Sequence, residues 1–467
     1  MSDPAAAILV YVALATGLFS FNDVGLLYVA MRILRRDAQI AEVSDVKAQA
    51  IPDSKLPVIS ILLPLFREKK TLPFLIGSIL SSNYPKERLD VRFLVEHDDR
   101  ETIDAILDLP AKIGVGGIEY DRYGIPRRIT VHKGPVIEID YIYRGVRTKP
   151  NALNMGLANA KGEIITIYDA EDRPDSSQLR KVAAYMIEHP DVACVQARLS
   201  YYNPDQSLLT KFFSVEYTQH FLTMLPELKA MKAMIPLGGT SNFFRSEVLR
   251  ELQGWDAYNV TEDADLGIRL AERGYLTVPI NTVTWEEAPP KLYYWIRQRV
   301  RWNKGFLYTL AKHFRHPVSL VRRVGLKSAF YGFLLLFYPV ISAVSMVGWA
   351  FFIVYWANWF GLPLQPVAGW VQAAFEYNPF ALYILMGGFI FGILYSSTIS
   401  VEALFREGSE NSLRKVKYAI FTPLYQMLHA LASIIAIAEL FVKPNVWHKT
   451  PHGFSVAEEG EDGAKPG

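Results

Sequence analysis

The sequence predicts an α/β domain with a mainly parallel sheet, joined to α-helical transmembrane and interfacial segments. Three observations carry that prediction. Between Lys55 and Pro290, short β-branched runs alternate with segments of helical periodicity, the order of a parallel sheet covered by helices. Long apolar stretches lie instead toward the two ends, at Ala5–Leu34, Phe330–Trp356, Phe380–Val401 and Tyr418–Val442. Where the halves meet, Tyr294–Lys304 contains no Pro or Gly and carries aromatics and cations at helical spacing.

The 467 residues suffice for more than one domain with a substantial core. Apolar residues make up 51% and the formal net charge is only +2, so bulk charge gives no argument for a nucleic-acid partner. The single cysteine, Cys194, sits in the apolar run Val192–Val195; it can form no internal disulfide and reads as a buried core thiol.

The first apolar run predicts a transmembrane helix over residues 1–36, with Arg32, Arg35 and Arg36 on its cytoplasmic side. A cleaved signal peptide is the alternative, but no Lys or Arg precedes the run, which is longer than an h-region. Asn22 and Asp23 interrupt it, and a carboxylate at that depth costs about 2.5–3.5 kcal/mol, so it should face other helices. The soluble domain is then 55–290, an amphipathic interface helix 291–318, and the C-terminal membrane or interfacial helices 325–445. Arg406, Arg414, Lys415 and Lys417 favour a cytoplasmic loop before the last stretch. Charge leaves open whether that stretch crosses or re-enters. The C-terminal tail is 446–467, and from Val456 onward it is Glu/Gly-rich and reads as disordered.

Within the soluble half, Pro57–Pro64 reads as a buried strand, followed by Leu72, Leu75, Ile76, Ile79 and Leu80 on one helical face. Asp90–Asp99 is a second strand ending in Glu96, His97, Asp98 and Asp99, and Ile164–Asp169 is another ending in acid. Ligands of open α/β sheets bind beyond the carboxyl ends of the strands, so two acidic ends point to one crevice. Asp98 and Asp99 also suit a helix N-cap. Lys149 opens a helix, where the macrodipole disfavours a cation unless an anion lies between them; an exposed loop lysine is the alternative. Asp169, Glu171 and Asp172, held by a loop closing at Pro174, suit a hard divalent ion that keeps water and phosphate as further ligands, or else form a solvated turn. In Leu237–Phe243 adjacent glycines permit close backbone approach beside Thr240 and Ser241; a plain turn before a helix is the alternative. Thr261 reads as the N-cap of a helix with Glu262, Asp263 and Asp265 in its first turn, where capping alone accounts for acids.

On the helix at the seam, Gln298, Arg301 and Trp302 share a face, and Arg297, Arg301 and Lys304 form a cationic stripe suited to anionic headgroups. A Trp face stacks on a sugar ring, and an Arg fork holds a diphosphate.

Gln298-x-x-Arg301-Trp302 resembles the signature of membrane-embedded family 2 glycosyltransferases, the cellulose, hyaluronan and chitin synthase group. The acidic strand ends, the Asp169 cluster and Thr261-Glu262-Asp263 precede it in that family's order. The resemblance implies a GT-A-type, Rossmann-like nucleotide-sugar domain. It implies donor contacts from Glu68, Asp98 or Asp99, Lys149, Asp169 and Arg301, with Arg67 standing where the family has Asn. It implies Mg²⁺ or Mn²⁺ at Asp169 with Glu171, the family's second Asp being Glu here, or with Asp172 as substitute ligand. Thr240, Ser241, Gln298 and Trp302 would line the acceptor, and Glu262 and Asp263 would be catalytic, Asp263 as general base. Trp447, Lys449 and Thr450 resemble a C-terminal element that reaches the nucleotide, though an aromatic interface anchor explains them equally.

The expectation is a hexosyltransferase of the plasma (inner) membrane, multi-pass, with its catalytic domain cytoplasmic. It would polymerise a β-linked polysaccharide processively, with inversion, and pass it across the bilayer. Family usage favours a β-glucan from UDP-glucose, with GDP-mannose and UDP-N-acetylglucosamine open. The expected partners are the nucleotide sugar, the growing polysaccharide and the bilayer, without nucleic acid; oligomeric state is open. Two alternatives stand: transfer of one sugar to a polyprenyl phosphate, which offers Trp302 no ring, and a non-catalytic polysaccharide-export component.

Overall fold

The computed structural model describes residues 38–109, 115–361 and 379–442. The expected N-terminal transmembrane helix and the C-terminal Trp447, Lys449 and Thr450 lie outside those residues. The chain forms two compact units. One holds Ala38–Lys291 with His316–Gly332, and the other holds Leu292–Arg315 with the helices from Phe333 onward.

The first unit is built on a ten-stranded sheet in the order β3-β4-β5-β2-β1-β6-β9-β8-β10-β7. Its strands are β1 (Ile59–Leu65), β2 (Leu89–Glu96), β3 (Val115–Tyr120), β4 (Pro126–Val131), β5 (Val136–Ile142), β6 (Ile164–Ile167), β7 (Arg173–Pro174), β8 (Val192–Tyr201), β9 (Asn242–Arg245) and β10 (Leu276–Glu286). The centre, β5-β2-β1-β6, is entirely parallel, and β8 pairs in parallel with β10. Only β4, β7 and β9 run against the rest.

Besides a short helix at Asp45–Gln49, the helices of this unit up to Glu272 are α1 (Leu72–Leu80), α2 (Arg100–Asp108), α3 (Lys149–Asn159), α4 (Gln178–Glu188), α5 (Leu208–Gln219), α6 (Leu225–Ala230), α7 (Ser246–Glu251) and α8 (Glu262–Glu272). A π-helical segment, His220–Met224, joins α5 to α6. Strand periodicity explains why the sheet needs helices on both faces. Ile59, Ile61, Leu63 and Leu65 enter one apolar layer with Leu72, Leu75, Ile76 and Ile79 of α1, while Leu62 enters the other with Leu153 and Leu157 of α3. Each such side chain stabilises the fold by roughly 1.5–3 kcal/mol when fully buried. α3 comes so close to the sheet that a Cβ on Gly156 would lie 2.7 Å from Leu94 Cδ2. Cys194 is buried on β8, as a core thiol should be.

The second unit contains α9 (Leu292–His313), most of α11 (Leu326–Trp359), α12 (Pro379–Glu407) and α13 (Thr422–Val442); α10 (Pro317–Val324) belongs to the first unit. Among the described residues three stretches are long and apolar enough to cross a membrane: Leu326–Ala350, Tyr383–Glu407 and Thr422–Val442. The helix expected around Tyr294–Lys304 forms, but its buried face is polar, with Gln298, Arg299, Asn303 and Lys304 beside Trp295. Lys304, expected on a stripe facing headgroups, is 1% exposed and paired with Glu439 on α13.

Candidate active site

Because β1, β2, β5, β6, β8 and β10 point the same way, their carboxyl ends share one edge, and the loop entering the reversed β9 arrives there too. The chemistry-bearing residues of the first unit gather along this edge.

Glu68 follows β1. It is buried, and Thr71 Oγ1 donates to its Oε2 at 3.0 Å at the start of α1. The preceding Arg67 adopts φ 56°, the left-handed region that Asn tolerates better than Arg. Asp99 is spent locally: its carboxylate caps α2 through Thr102 N at 3.3 Å and accepts from Arg67 N at 2.8 Å. Asp98 remains at the surface, bonded to Arg147, which holds its pKa below the usual carboxylate range. Of the two acids that the sequence left undecided, Asp98 is the one presented outward.

Lys149 begins α3 after Thr148, whose side chain caps the helix. Its Nζ donates to Asp169 Oδ2 at 2.7 Å and to the Gly239 carbonyl at 2.7 Å. Burial alone would lower the Lys149 pKa, but Asp169 and Glu262 more than offset it and raise the pKa above the ordinary lysine value. Asp169 supplies the anion that the unfavourable position of Lys149 demanded.

Asp172 is fully buried and organises the loop that carries Asp169. Its Oδ2 accepts from Asp169 N at 2.7 Å and from the Thr240 hydroxyl, while Oδ1 is buried without a hydrogen-bond partner. Glu171 is half-buried on the same loop. Burial, then Glu286, Asp169 and Glu171, push the Asp172 pKa well above the carboxylate range; burial, then Glu171 and Asp169, do the same for Glu286. Glu286 went unremarked in the sequence, yet it ends β10 by the same rule that singled out Asp98 and Asp169. Arg173 is clamped nearby, its guanidinium 4.8 Å from the Phe74 ring and 4.0 Å from that of Tyr202.

Asp169, Glu171, Asp172 and Glu286 thus share a field that Lys149 only partly neutralises. With the orphaned Asp172 Oδ1, this oxygen-rich set fits a hard divalent ion such as Mg²⁺ or Mn²⁺, which binds through one or two carboxylates and leaves room for water and phosphate. Among the described residues, three potential ligand atoms within 4.8 Å of one another occur at Glu96, His97 and Asp98. There His97 Nδ1 lies 3.1 Å from the Ile142 carbonyl and Asp98 is engaged by Arg147.

Thr240 and Ser241 correct an expectation. They are 1% and 0% exposed, and their hydroxyls are used inside the protein, Thr240 on Asp172 and Ile167 O and Ser241 on Thr284 Oγ1 at 2.6 Å. They build the loop and present no hydroxyl to an acceptor. What the loop presents is Gly239: a Cβ there would lie 3.4 Å from Asp263 Oδ2 and 3.8 Å from Lys149 Nζ, so base candidate and ammonium face one small space. Thr261 precedes α8 without a side-chain cap bond, and Asp263 Oδ1 accepts from Ala264 N at 2.7 Å. Burial and then Asp263 push the Glu262 pKa up to about 8, against the pull of Lys149.

In the second unit Gln298, Arg301 and Trp302 share a face of α9, as their spacing requires. Gln298 Oε1 and Arg301 Nε are buried without hydrogen-bond partners. The Arg299 guanidinium lies 4.5 Å from the centre of the Trp302 ring and so takes one face of it.

Comparison with known proteins agrees with this picture. Residues 164–395 match the family described as glycosyl transferase family group 2. The chain is 27% identical over 295 residues to the probable glycosyltransferase YdaM of Bacillus subtilis (strain 168), covering 62% of this chain and 65% of that one. It is 28% identical over 258 residues to glucomannan 4-beta-mannosyltransferase 1 of Oryza sativa subsp. japonica, covering 54% of this chain and 46% of that one. It therefore spans less than two thirds of either relative. Among solved structures, the mannosyltransferase PcManGT from Pyrobaculum calidifontis, in complex with GDP-Man and Mn²⁺, aligns with TM-score 0.52 and 18% identity over 83% of this chain and 98% of that one. That likeness establishes a GT-A-like fold. The chain is thus similar to family 2 glycosyltransferases over residues 164–395 and shares a GT-A-like fold.

Proposed function

We propose that this glycosyltransferase moves a hexose from a nucleotide donor onto the growing end of a β-linked polysaccharide, with inversion, and that the hexose is mannose. The observation that carries the reading is the Lys149 ammonium bridging Asp169 and the Gly239 carbonyl, with Asp263 Oδ2 facing the same space. It supplies a cation for a leaving diphosphate and a carboxylate for an acceptor proton. Family usage favoured UDP-glucose; the glucomannan 4-beta-mannosyltransferases among the relatives move the reading to mannose, and PcManGT, in complex with GDP-Man, suggests GDP-mannose as the donor.

In the proposed reaction the acceptor hydroxyl oxygen attacks the anomeric carbon opposite the nucleotide. The bond from that carbon to the diphosphate oxygen breaks, its electrons leave with the nucleoside diphosphate, and the acceptor proton passes to Asp263. Mg²⁺ or Mn²⁺ held at Asp169, with Glu171 or Glu286, supplies Lewis-acid charge to the diphosphate when bound. Lys149 and Arg301 add fixed positive charge where negative charge develops. Asp172 holds the Asp169 loop, Asp98 and Arg147 face the nucleoside, and Gln298 and Trp302 hold the acceptor sugar. We read the process as repeated addition with passage across the plasma (inner) membrane, the catalytic unit being cytoplasmic.

The test is the full chain in lipid nanodiscs with Mn²⁺ or Mg²⁺ and GDP-mannose, UDP-glucose or UDP-N-acetylglucosamine, read by nucleotide release and product sizing. GDP release with a ladder of mannosyl products is expected. Faster release from either UDP-sugar overturns the donor assignment. A single lipid-linked sugar overturns polymerisation, and no release from any donor overturns the enzyme.

A further inference from the structure

α9 and α13 are held together by a seam of polar contacts, although α13 is apolar enough to span a membrane. Trp295 Nε1 donates to Tyr425 OH at 3.0 Å, with His429 edge-on to the Trp295 ring at 5.0 Å. Asn303 Nδ2 donates to Ser433 Oγ at 3.0 Å, and both residues are buried. Lys304 Nζ meets Glu439 Oε2 at 3.1 Å, with the Lys304 side chain 1% and the Glu439 side chain 33% exposed. Partner numbers rise together along the chain, 295 with 425, 303 with 433 and 304 with 439, so the two helices run in the same direction.

An ionisable pair in such surroundings costs desolvation that apolar residues of similar size would avoid, so stability alone is a poor account of it. What a polar pair specifies better than apolar packing is register. A slip of one residue turns a helix by about 100°, which would carry Gln298, Arg301 and Trp302 off their common direction. Lys304 lies three residues beyond Arg301, on the adjoining turn of the same face.

We propose that Lys304 and Glu439 are positioning residues: their ion pair fixes the rotation of α9 and with it the direction in which Arg301 points. The inference rests on the glycosyltransferase reading above. The test uses the full chain in nanodiscs, with kcat normalised to folded protein. Lys304→Met and Glu439→Gln should each lower kcat at least 30-fold while donor KM stays within threefold. Lys304→Arg, which keeps the charge, and the exchange Lys304→Glu with Glu439→Lys should return kcat to within fivefold of wild type. In an Arg301→Ala background, Lys304→Met should cost less than a further threefold, because the residue it aims is gone.

The proposal is overturned if either single variant keeps kcat within threefold of wild type, if neither rescue restores it, or if Lys304→Met exerts its full loss without Arg301. A purified wild type that releases nucleotide from no donor counts against the functional reading instead. The seam is then read by cross-linking Asn303→Cys to Ser433→Cys with a short thiol reagent. Capture at least tenfold weaker after Glu439→Gln supports the ion pair as the register device, and equal capture overturns it.

Discussion

Replacing Asp263 with Asn separates general-base chemistry from binding. Asparagine keeps the size of the side chain and an Oδ1 that accepts from Ala264 N, now at 2.7 Å, so α8 should start unchanged. What is lost is the basic oxygen facing the space bounded by Gly239 and Lys149. A positioned base contributes about 10²–10⁴ in rate, or roughly 3–5 kcal/mol of barrier, and kcat should fall by that factor. While Asp263 is charged Glu262 is no rival base at pH 7, because its pKa is then pushed up to about 8. The Asp263 charge is the second contributor to that shift, so in Asp263→Asn the Glu262 pKa should fall toward its ordinary value. Any residual rate in the variant should then follow Glu262 ionisation and vanish when Glu262→Gln is added. The assay is nucleotide release across pH, paired with donor affinity by calorimetry. A kcat within tenfold of wild type, or a parallel tenfold loss of donor affinity, would refute the assignment.

Glu262 also predicts a pH dependence of stability. Its folded pKa lies above the ordinary 4.5, so its contribution is fully present below about pH 4.5 and is lost as pH rises through about 8. Glu262→Gln should therefore shrink the fall in melting temperature between pH 5 and 9 by roughly 5–10 °C in metal-free buffer, from a few kcal/mol of ionisation penalty; identical melting curves would count against it. Gly239→Ala should fold normally, since its nearest neighbours would lie at 3.4 and 3.8 Å, but should lower kcat/KM at least tenfold by filling the space between base and ammonium; a drop in melting temperature matching the activity loss would point to packing instead. Arg67→Asn should relieve about 1 kcal/mol of left-handed backbone strain at φ 56°, less roughly 0.5 kcal/mol for the Arg67 contact with Phe66 at 5.1 Å. A net gain of a few tenths of a kcal/mol is expected by chemical denaturation, and a loss above 1 kcal/mol would show that the guanidinium is needed.

Periodicity made the parallel centre of the sheet readable. β1 with α1 buries Leu72, Leu75, Ile76 and Ile79 as their spacing requires, β2 ends at Glu96, and β6 leads two residues on to Asp169, where the acids had pointed to a crevice. The added β3–β4 hairpin was not foreseen, because Gly116 and Gly117 dilute the strand pattern of β3. Which hydroxyl or carboxylate faces outward was equally hidden, since it is settled by partners remote in sequence. Arg67 N claims Asp99 and leaves Asp98 outside, and Asp172 claims Thr240 from 68 residues away. Lys304 looked like a surface cation for the same reason: its partner Glu439 comes 135 residues later.

That long separation has a consequence for how the protein is made. Because α9 and α13 run in the same direction, a tight turn cannot join them, and α11 and α12 must be synthesised before Tyr425, Ser433 and Glu439 exist. Until then Trp295, Asn303 and Lys304 wait without these mates, so the seam on the helix bearing Arg301 is completed only once α13 has been made. A chain halted before Thr422 would carry every acid along the sheet's carboxyl edge and still lack the three contacts that α13 gives to α9.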